Sequence, residues 1–398
     1  MQKGNIERLK QWSFIFLFIA ATAAAIFLSA KIRPYPVMEL FAFQTDAFIH
    51  GHLDIPAKVI LTHGGNFVDL VFRDGKYYLP HPPLPSVLLL PYVAAFGPVN
   101  AQSALQYVLV PIAAFFAYLL FNKRGLDRST SGWLTFTLLF SSVFFGVIIL
   151  INYCYVSQVL AVALAFAALY EFSGRDRPWL IGILVAAMCA TRSTAGLAMI
   201  IFFTLETALR PIRWRERLKR LVVMAIPIVA VALALAYFNA ARFGNPMDFG
   251  YRDSILVIQP EHDMRETYGI FNPIYIPRNL YYSFSPFTMV DNGQWGMDGR
   301  GISFFLVCPV FLCLFALRRW NRTVIATLVA SGVVLGIFLC YYATGFFQLG
   351  PRYFCDFLPL LFLLLIELFK KIKLNALIKG VILGGAAINL VFAASWLR

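Results

Sequence analysis

Residues 210–239 read RPIRWRERLKRLVVMAIPIVAVALALAYFN, an eleven-residue block with six Arg or Lys and one Glu running straight into nineteen residues that carry no charge. A helix rises about 1.5 Å per residue, so an apolar run of about 20 residues crosses the ~30 Å hydrocarbon layer of a bilayer. Lys and Arg beside such a run mark its cytoplasmic end. Segment 221–239 is therefore a membrane span that starts inside, and the basic block before it is suited to contact with anionic headgroups. Runs of similar length and character lie at 12–30 and 323–343.

Composition agrees. Of the 398 residues, 60% are hydrophobic and 14% charged, against about 25% charged in an ordinary soluble domain. The six cysteines fall within or beside apolar segments, with no metal-type spacing and no small disulfide framework. The net charge of +14 is what a positive inner face requires, so it does not point to nucleic acid.

The basic connections fix an expected topology. Lys and Arg concentrate at the N-terminus and at 122–131, 174–177, 210–220, 318–322 and 370–379. Helices at about 12–30, 102–121, 132–151, 156–173, 178–191, 194–209, 221–239, 301–317, 323–343, 353–369 and 376–396 put all of these inside, which predicts an all-α polytopic protein of about eleven spans. The first run follows Lys3, Arg8 and Lys10 and is longer than a usual signal-peptide core, so an uncleaved anchor is expected there. Run 178–208 would be about 45 Å long as one helix, so a break is placed near Arg192, with its guanidinium reaching the outer surface. Segment 83–98 is apolar but short and bracketed by prolines, and is expected to form a helix lying on the outer surface.

This topology makes residues 1–398 one transmembrane domain with two long outer loops, 31–101 and 240–300. Together the loops hold all five histidines and twelve of the twenty carboxylates. Long loops on one face are where chemistry belongs. In the first, residues 39–54 are expected to form an amphipathic helix at the interface, which stacks Glu39, Asp46 and His50 on one face. Asp69, then Asp74-Gly75 with Lys76-Tyr77-Tyr78, predicts a strand-and-turn element, since Asp-Gly is a strong turn signal. His81-Pro82-Pro83 directs the chain back toward the bilayer. The second loop contains ARFGNPMDFGY (241–251) and an aromatic tract through Tyr281, Tyr282 and Trp295. Near the end Arg352 stands at a helix entrance, placed either to hold a phosphate or to pair with Asp356 four residues on.

The chain resembles the GT-C class of membrane glycosyltransferases, in particular bacterial members near the protein mannosyltransferases and lipid A aminoarabinose transferases, as in glycosyltransferase family 39. The likeness spans most of the chain. It rests on the order of TDAFIHGHLD (45–54), DGKYYLPHPPLPSVLLLPYVAAFG (74–97), CATRSTAG (189–196), ARFGNPMDFGY and GPRYFCDFLPLL (350–361). Many members carry adjacent acidic residues in the first loop, whereas Asp46 stands between Thr45 and Ala47.

The resemblance implies inverting transfer of a sugar from a polyprenyl-phosphate carrier to a lipid, glycan or protein acceptor, at the outer face of a bacterial inner membrane with the N-terminus in the cytoplasm. It places Asp46 as general base, with Asp69 as second candidate, and His81, Arg242 and Arg352 on the donor phosphate. Glu39, His50, Lys76, Tyr77, Arg192 and Tyr251 are expected substrate contacts. A divalent metal is compatible with the class, but no ligand cluster in the sequence demands one. The competing readings are a flippase for a lipid-linked sugar, which would show internal repeats and midplane charges, and an outer-face polysaccharide polymerase or ligase using a lipid-diphosphate donor.

Overall fold

In the computed structural model of the protein, residues 38–255, 259–286, 288–289, 295–296, 299–318 and 320–395 are described. The expected first span, 12–30, lies outside the described residues.

The chain is mostly helical. Helices α1 (Leu40–Ile49) and α2 (Ala57–Thr62) precede a hairpin of β1 (Val71–Arg73) and β2 (Lys76–Tyr78), and α3 (Leu84–Phe96) follows. Next come α4 (Ala101–Lys123), α5 (Arg128–Phe140), α6 (Val143–Ile149), α7 (Tyr153–Ser173), α8 (Pro178–Cys189), α9 (Ser193–Ala208) and α10 (Trp214–Phe243). The second long loop carries α11 (Gln259–Tyr268), α12 (Ile276–Phe284) and a two-residue ribbon, β3 (Thr288–Met289) with β4 (Trp295–Gly296). Helices α13 (Phe304–Val307), α14 (Arg322–Leu339), α15 (Leu358–Phe369) and α16 (Ala376–Ser395) complete the fold.

Five helices, α4, α7, α10, α14 and most of α16, are long and apolar enough to cross a membrane, and α5 with α6 forms a sixth span if taken as one bent by 57°. The chain is a multi-pass membrane protein. Helix α7 is its axis: most of its residues are buried, and it packs along α4, where Ala113, Ala114 and Ala117 let the two backbones approach. Helix α10 lies at the other extreme. Only 6% of its apolar window is covered, and among the described helices it packs most extensively on α8, where a Cβ on Gly182 would strike the Met224 carbonyl.

The break near Arg192 is present, since α8 ends at Cys189 and α9 starts at Ser193. Its expected consequence is corrected: the guanidinium points inward instead of reaching the surface and is 10% exposed. Segment 301–317 is not one α-helix. After α13 the chain turns at Cys308 and continues as a 3₁₀ helix over Pro309–Ala316, because Pro309 supplies no N–H to an α-helical ladder. Segment 353–369 likewise opens with a 3₁₀ turn, Arg352–Asp356, before α15.

The first loop is a folded layer with its own small core of Leu40, Phe41, Phe43, Ile55, Ile60, Leu70, Leu79, Leu89, Val93 and Tyr153. Helix α1 is corrected from an interfacial amphipathic helix to an interior one: seven of its ten residues are buried, and it packs on α3. Ser86 Oγ on α3 lies within hydrogen-bond distance of the Phe41 carbonyl, 3.0 Å, and of Gln44 Oε1, 2.7 Å, and a buried polar seam of this kind is incompatible with lipid contact on that face. The Asp-Gly signal is fulfilled. Arg73 pairs with Lys76 across Asp74 (φ 52°) and Gly75 (φ 75°), the two left-handed residues that a tight hairpin turn needs.

Candidate active site

The first loop, the start of α7, the second loop and the 3₁₀ turn before α15 meet in one place. Asp69 is brought there by backbone pairing between the two loops: its N–H donates to the Ile255 carbonyl at 2.8 Å, and the Ile255 N–H donates to the Leu70 carbonyl at 2.8 Å. The residue itself is left-handed (φ 64°), which Asp tolerates better than most. Its Oδ2 accepts a hydrogen bond from the hydroxyl of buried Tyr153 at the head of α7. Burial raises the Asp69 pKa above the ordinary carboxylate value, opposed by the Tyr153 hydrogen bond and by the charge of Arg352.

His81 is enclosed by rings, with centroids 5.2 Å from Tyr153, 5.9 Å from Tyr251 and 6.1 Å from Phe41. The flanking prolines hold it there. Burial lowers its pKa to about 3, and the nearby charges of Arg192, Arg352 and Arg242 push the same way, so this imidazole is neutral at physiological pH.

Three of these arginines have different fates. Arg192 Nε and Nη2 bind Asp356 Oδ1 and Oδ2 at 2.6 and 3.0 Å. Arg242 is buried under the first loop, with Nη1 donating to the Leu79 carbonyl at 2.7 Å and Nη2 to Asn239 Oδ1 at 2.9 Å. Arg352 instead has a well-held backbone and an open head group. Its N–H donates to Gln348 Oε1 at 3.2 Å, and its carbonyl accepts from Gln158 Nε2 at 3.0 Å. The guanidinium carbon lies 5.3 Å from the Tyr155 ring centroid and 5.0 Å from that of Tyr353. Its Nε and Nη1 are buried with no acceptor among the described residues.

Of the residues singled out in the sequence, Asp69, His81, Arg192, Tyr251 and Arg352 come together here. Arg242 is near enough for its charge to act on His81, but its head group is already bonded, and Glu39, Asp46, His50, Lys76 and Tyr77 do not join them. Asp46 is 25% exposed, and its carboxylate lies 3.8 Å from His50 Nδ1. On α1 it stands five residues, or about 140° of helical turn, from Phe41, the residue of that helix that meets His81 and Tyr153. Glu39 accepts from the Gln102 N–H at 2.9 Å and so caps α4. Lys76 lies 3.7 Å from Asp54, and Tyr77 packs between Phe67 and Phe72.

Sequence reasoning overlooked Tyr153, Tyr155 and Gln158. The signal was available: Asn-Tyr-Cys-Tyr-Val-Ser-Gln (152–158) is a polar, aromatic opening to an otherwise apolar span, and polar residues inside spans are expensive and tend to be functional. Among the described residues no three His, Cys, Asp or Glu side chains gather as candidate ligands for a metal ion.

Neither family models nor curated proteins match the sequence. Solved structures do. The chain superposes on ArnT from Cupriavidus metallidurans bound to undecaprenyl phosphate with a TM-score of 0.54 and 14% identity, covering 96% of this chain and 64% of that one. The apo form of the same protein gives 0.57 and 13%, covering 97% and 64%. The apo Archaeoglobus fulgidus oligosaccharyltransferase gives 0.49 and 13%, covering 94% and 54%. This chain thus spans just under two thirds of the ArnT length. The protein has a GT-C-like membrane glycosyltransferase fold.

Proposed function

We propose that the protein transfers a sugar from a polyprenyl-phosphate carrier to an acceptor hydroxyl on the non-cytoplasmic face of the membrane, with Asp69 as general base and Arg352 on the donor phosphate. The observation that carries this reading is the Arg352 guanidinium, held between two tyrosines with buried N–H groups that have no acceptor among the described residues, close enough to Asp69 to act on its charge. A buried cation without an acceptor is costly unless an anionic ligand completes it. A structural neighbour is described with undecaprenyl phosphate bound, which supports a ligand of that kind.

The chemistry asks little of the protein. As the acceptor oxygen attacks the anomeric carbon, its proton passes to Asp69, and the bond from that carbon to the phosphate oxygen breaks on the opposite face. The bonding pair leaves with the phosphate, where Arg352 stabilises it. The configuration inverts. A carboxylate with a raised pKa is a better base than an exposed one. Neutral His81 adds a polar atom without adding charge.

Incubation of the purified chain with a panel of polyprenyl-phosphate sugars, with carrier release followed by mass spectrometry, tests the proposal. Release should depend on the acceptor and should fall at least tenfold in Arg352→Ala. Arg352→Lys should also be impaired, since a point charge does not replace a planar fork. Transbilayer movement of a lipid-linked sugar without carrier release would replace the transferase with a flippase.

A further inference from the structure

Five residues before Arg352, Phe347 is in the left-handed backbone region with φ 51°. A bulky residue there is a genuine outlier, and such strain persists only where the surroundings impose it. Here they do. The Tyr155 hydroxyl donates to the Phe347 carbonyl. The next residue, Gln348, donates from its backbone N–H to the Gly299 carbonyl at 3.2 Å and from Nε2 to the carbonyls of Arg300 and Thr344 at 2.8 and 3.0 Å. The Leu349 carbonyl accepts from the Ile302 N–H at 2.9 Å. This scaffold holds a strained residue whose side chain is nevertheless 40% exposed, so burial of the ring does not explain why Phe is there.

One side chain ties this strain to the site: Tyr155 bonds the Phe347 carbonyl through its hydroxyl and carries the Arg352 guanidinium against its ring. Phe347 also lies edge-on to Phe346, with centroids 4.6 Å apart. An exposed ring backed by half-buried Phe346 has no polar atom for a sugar hydroxyl. It suits the one wholly apolar part of a lipid-phosphate donor, the chain immediately beyond the phosphate.

Resting on the transferase reading, we infer that Phe347 is a carrier-binding residue: its ring packs on the first isoprenyl units of the lipid while Arg352 takes the phosphate.

The test is titration of the purified full chain in detergent with polyprenyl phosphate and, separately, with inorganic phosphate. Phe347→Gly and Phe347→Asn both accept the left-handed conformation. Each should weaken polyprenyl phosphate about tenfold, the order expected for losing an aromatic apolar contact, and leave inorganic phosphate unchanged. Phe347→Leu should retain part of the affinity. Equal affinity for the lipid in wild type and variants overturns this inference alone, and so does an equal loss for both ligands, which would mean that the loop had moved. No binding of polyprenyl phosphate by the wild type overturns the transferase reading along with it.

Discussion

Asp356 is bonded twice by Arg192, 164 residues earlier in the chain, and not by Arg352, four residues before it. Thr194 also donates to the Asp356 carboxylate. With its local carboxylate occupied, Arg352 keeps its head group for something else. The same pair pins the break between α8 and α9 to the turn that opens α15, so two irregular stretches of backbone are held to each other by a side-chain pair.

Breaking this pair should be a stability event before it is a catalytic one. Asp356 is fully enclosed and Arg192 nearly so, and removing one partner of a buried pair typically costs about 3–5 kcal/mol. Asp356→Ala should therefore lower the unfolding temperature in detergent strongly. Joint replacement, Arg192→Met with Asp356→Leu, should recover much of the loss because no lone charge is left behind. If the double variant is no better than the single one, the pair does not carry the stabilisation assigned to it.

The extent to which the sequence is legible varies with the range of the interaction. The Asp74-Gly75 hairpin, the break at Arg192 and the short helix after Pro83 are local, written in turn chemistry and in run length, and all are present. The fate of the Arg192 guanidinium depends on a residue in another helix, which no spacing rule reveals. Helical periodicity also misled: Glu39, Asp46 and His50 do recur at helical spacing, but α1 is buried on most sides, so Glu39 is buried against the start of α4, only Asp46 and His50 reach the surface, and the site forms beside Phe41. Asp69 had no periodic neighbours to mark it, because a single left-handed residue and one tyrosine hydroxyl position it.

His81 predicts an acid limit to stability. Its imidazole titrates at about 3 in the folded protein and near 6.5 in the unfolded chain. Between those values the unfolded state binds a proton that the folded state refuses, so stability is lost as pH falls from about 6.5 toward 3. His81→Gln, which cannot titrate, should flatten this dependence. The check is the unfolding temperature of both proteins in detergent from pH 7.5 to 4.5, and parallel slopes would remove His81 as the cause.

Topology gives a prediction that does not depend on activity. In a cysteine-free background, a cysteine replacing exposed Asp74, in the hairpin turn, or one replacing His262, in the second loop, should react with an impermeant thiol reagent in intact cells. One replacing Arg215, at the basic start of α10, should react only after permeabilisation. Labelling of the 215 position from outside would reverse the orientation of α10 and place the site on the other face.

The most decisive contrast is between two carboxylates of the first loop. Asp69 is half-buried, bonded by Tyr153 and within reach of the Arg352 charge, with a pKa raised by desolvation, whereas Asp46 is partly exposed next to His50 on the side of α1 away from the cluster. Losing a general base commonly costs 10²–10⁴-fold in rate, or about 3–5 kcal/mol of barrier. Losing a solvated carboxylate typically changes stability by less than about 0.5 kcal/mol and leaves turnover near wild type. Asp69→Asn preserves size and can still accept from the Tyr153 hydroxyl, so the fold and carrier binding should survive while transfer falls at least a hundredfold, the lower end of that range. Asp46→Asn should stay within about threefold of wild type, as expected of a surface change. Tyr153→Phe supplies an internal check. It removes the hydrogen bond that favours ionised Asp69, so the acid limb of the pH–rate profile should move to higher pH, and that limb should be absent in Asp69→Asn. If Asp46→Asn abolishes transfer and Asp69→Asn does not, the base belongs on α1, and the cluster around Arg352 binds the donor without accepting the proton.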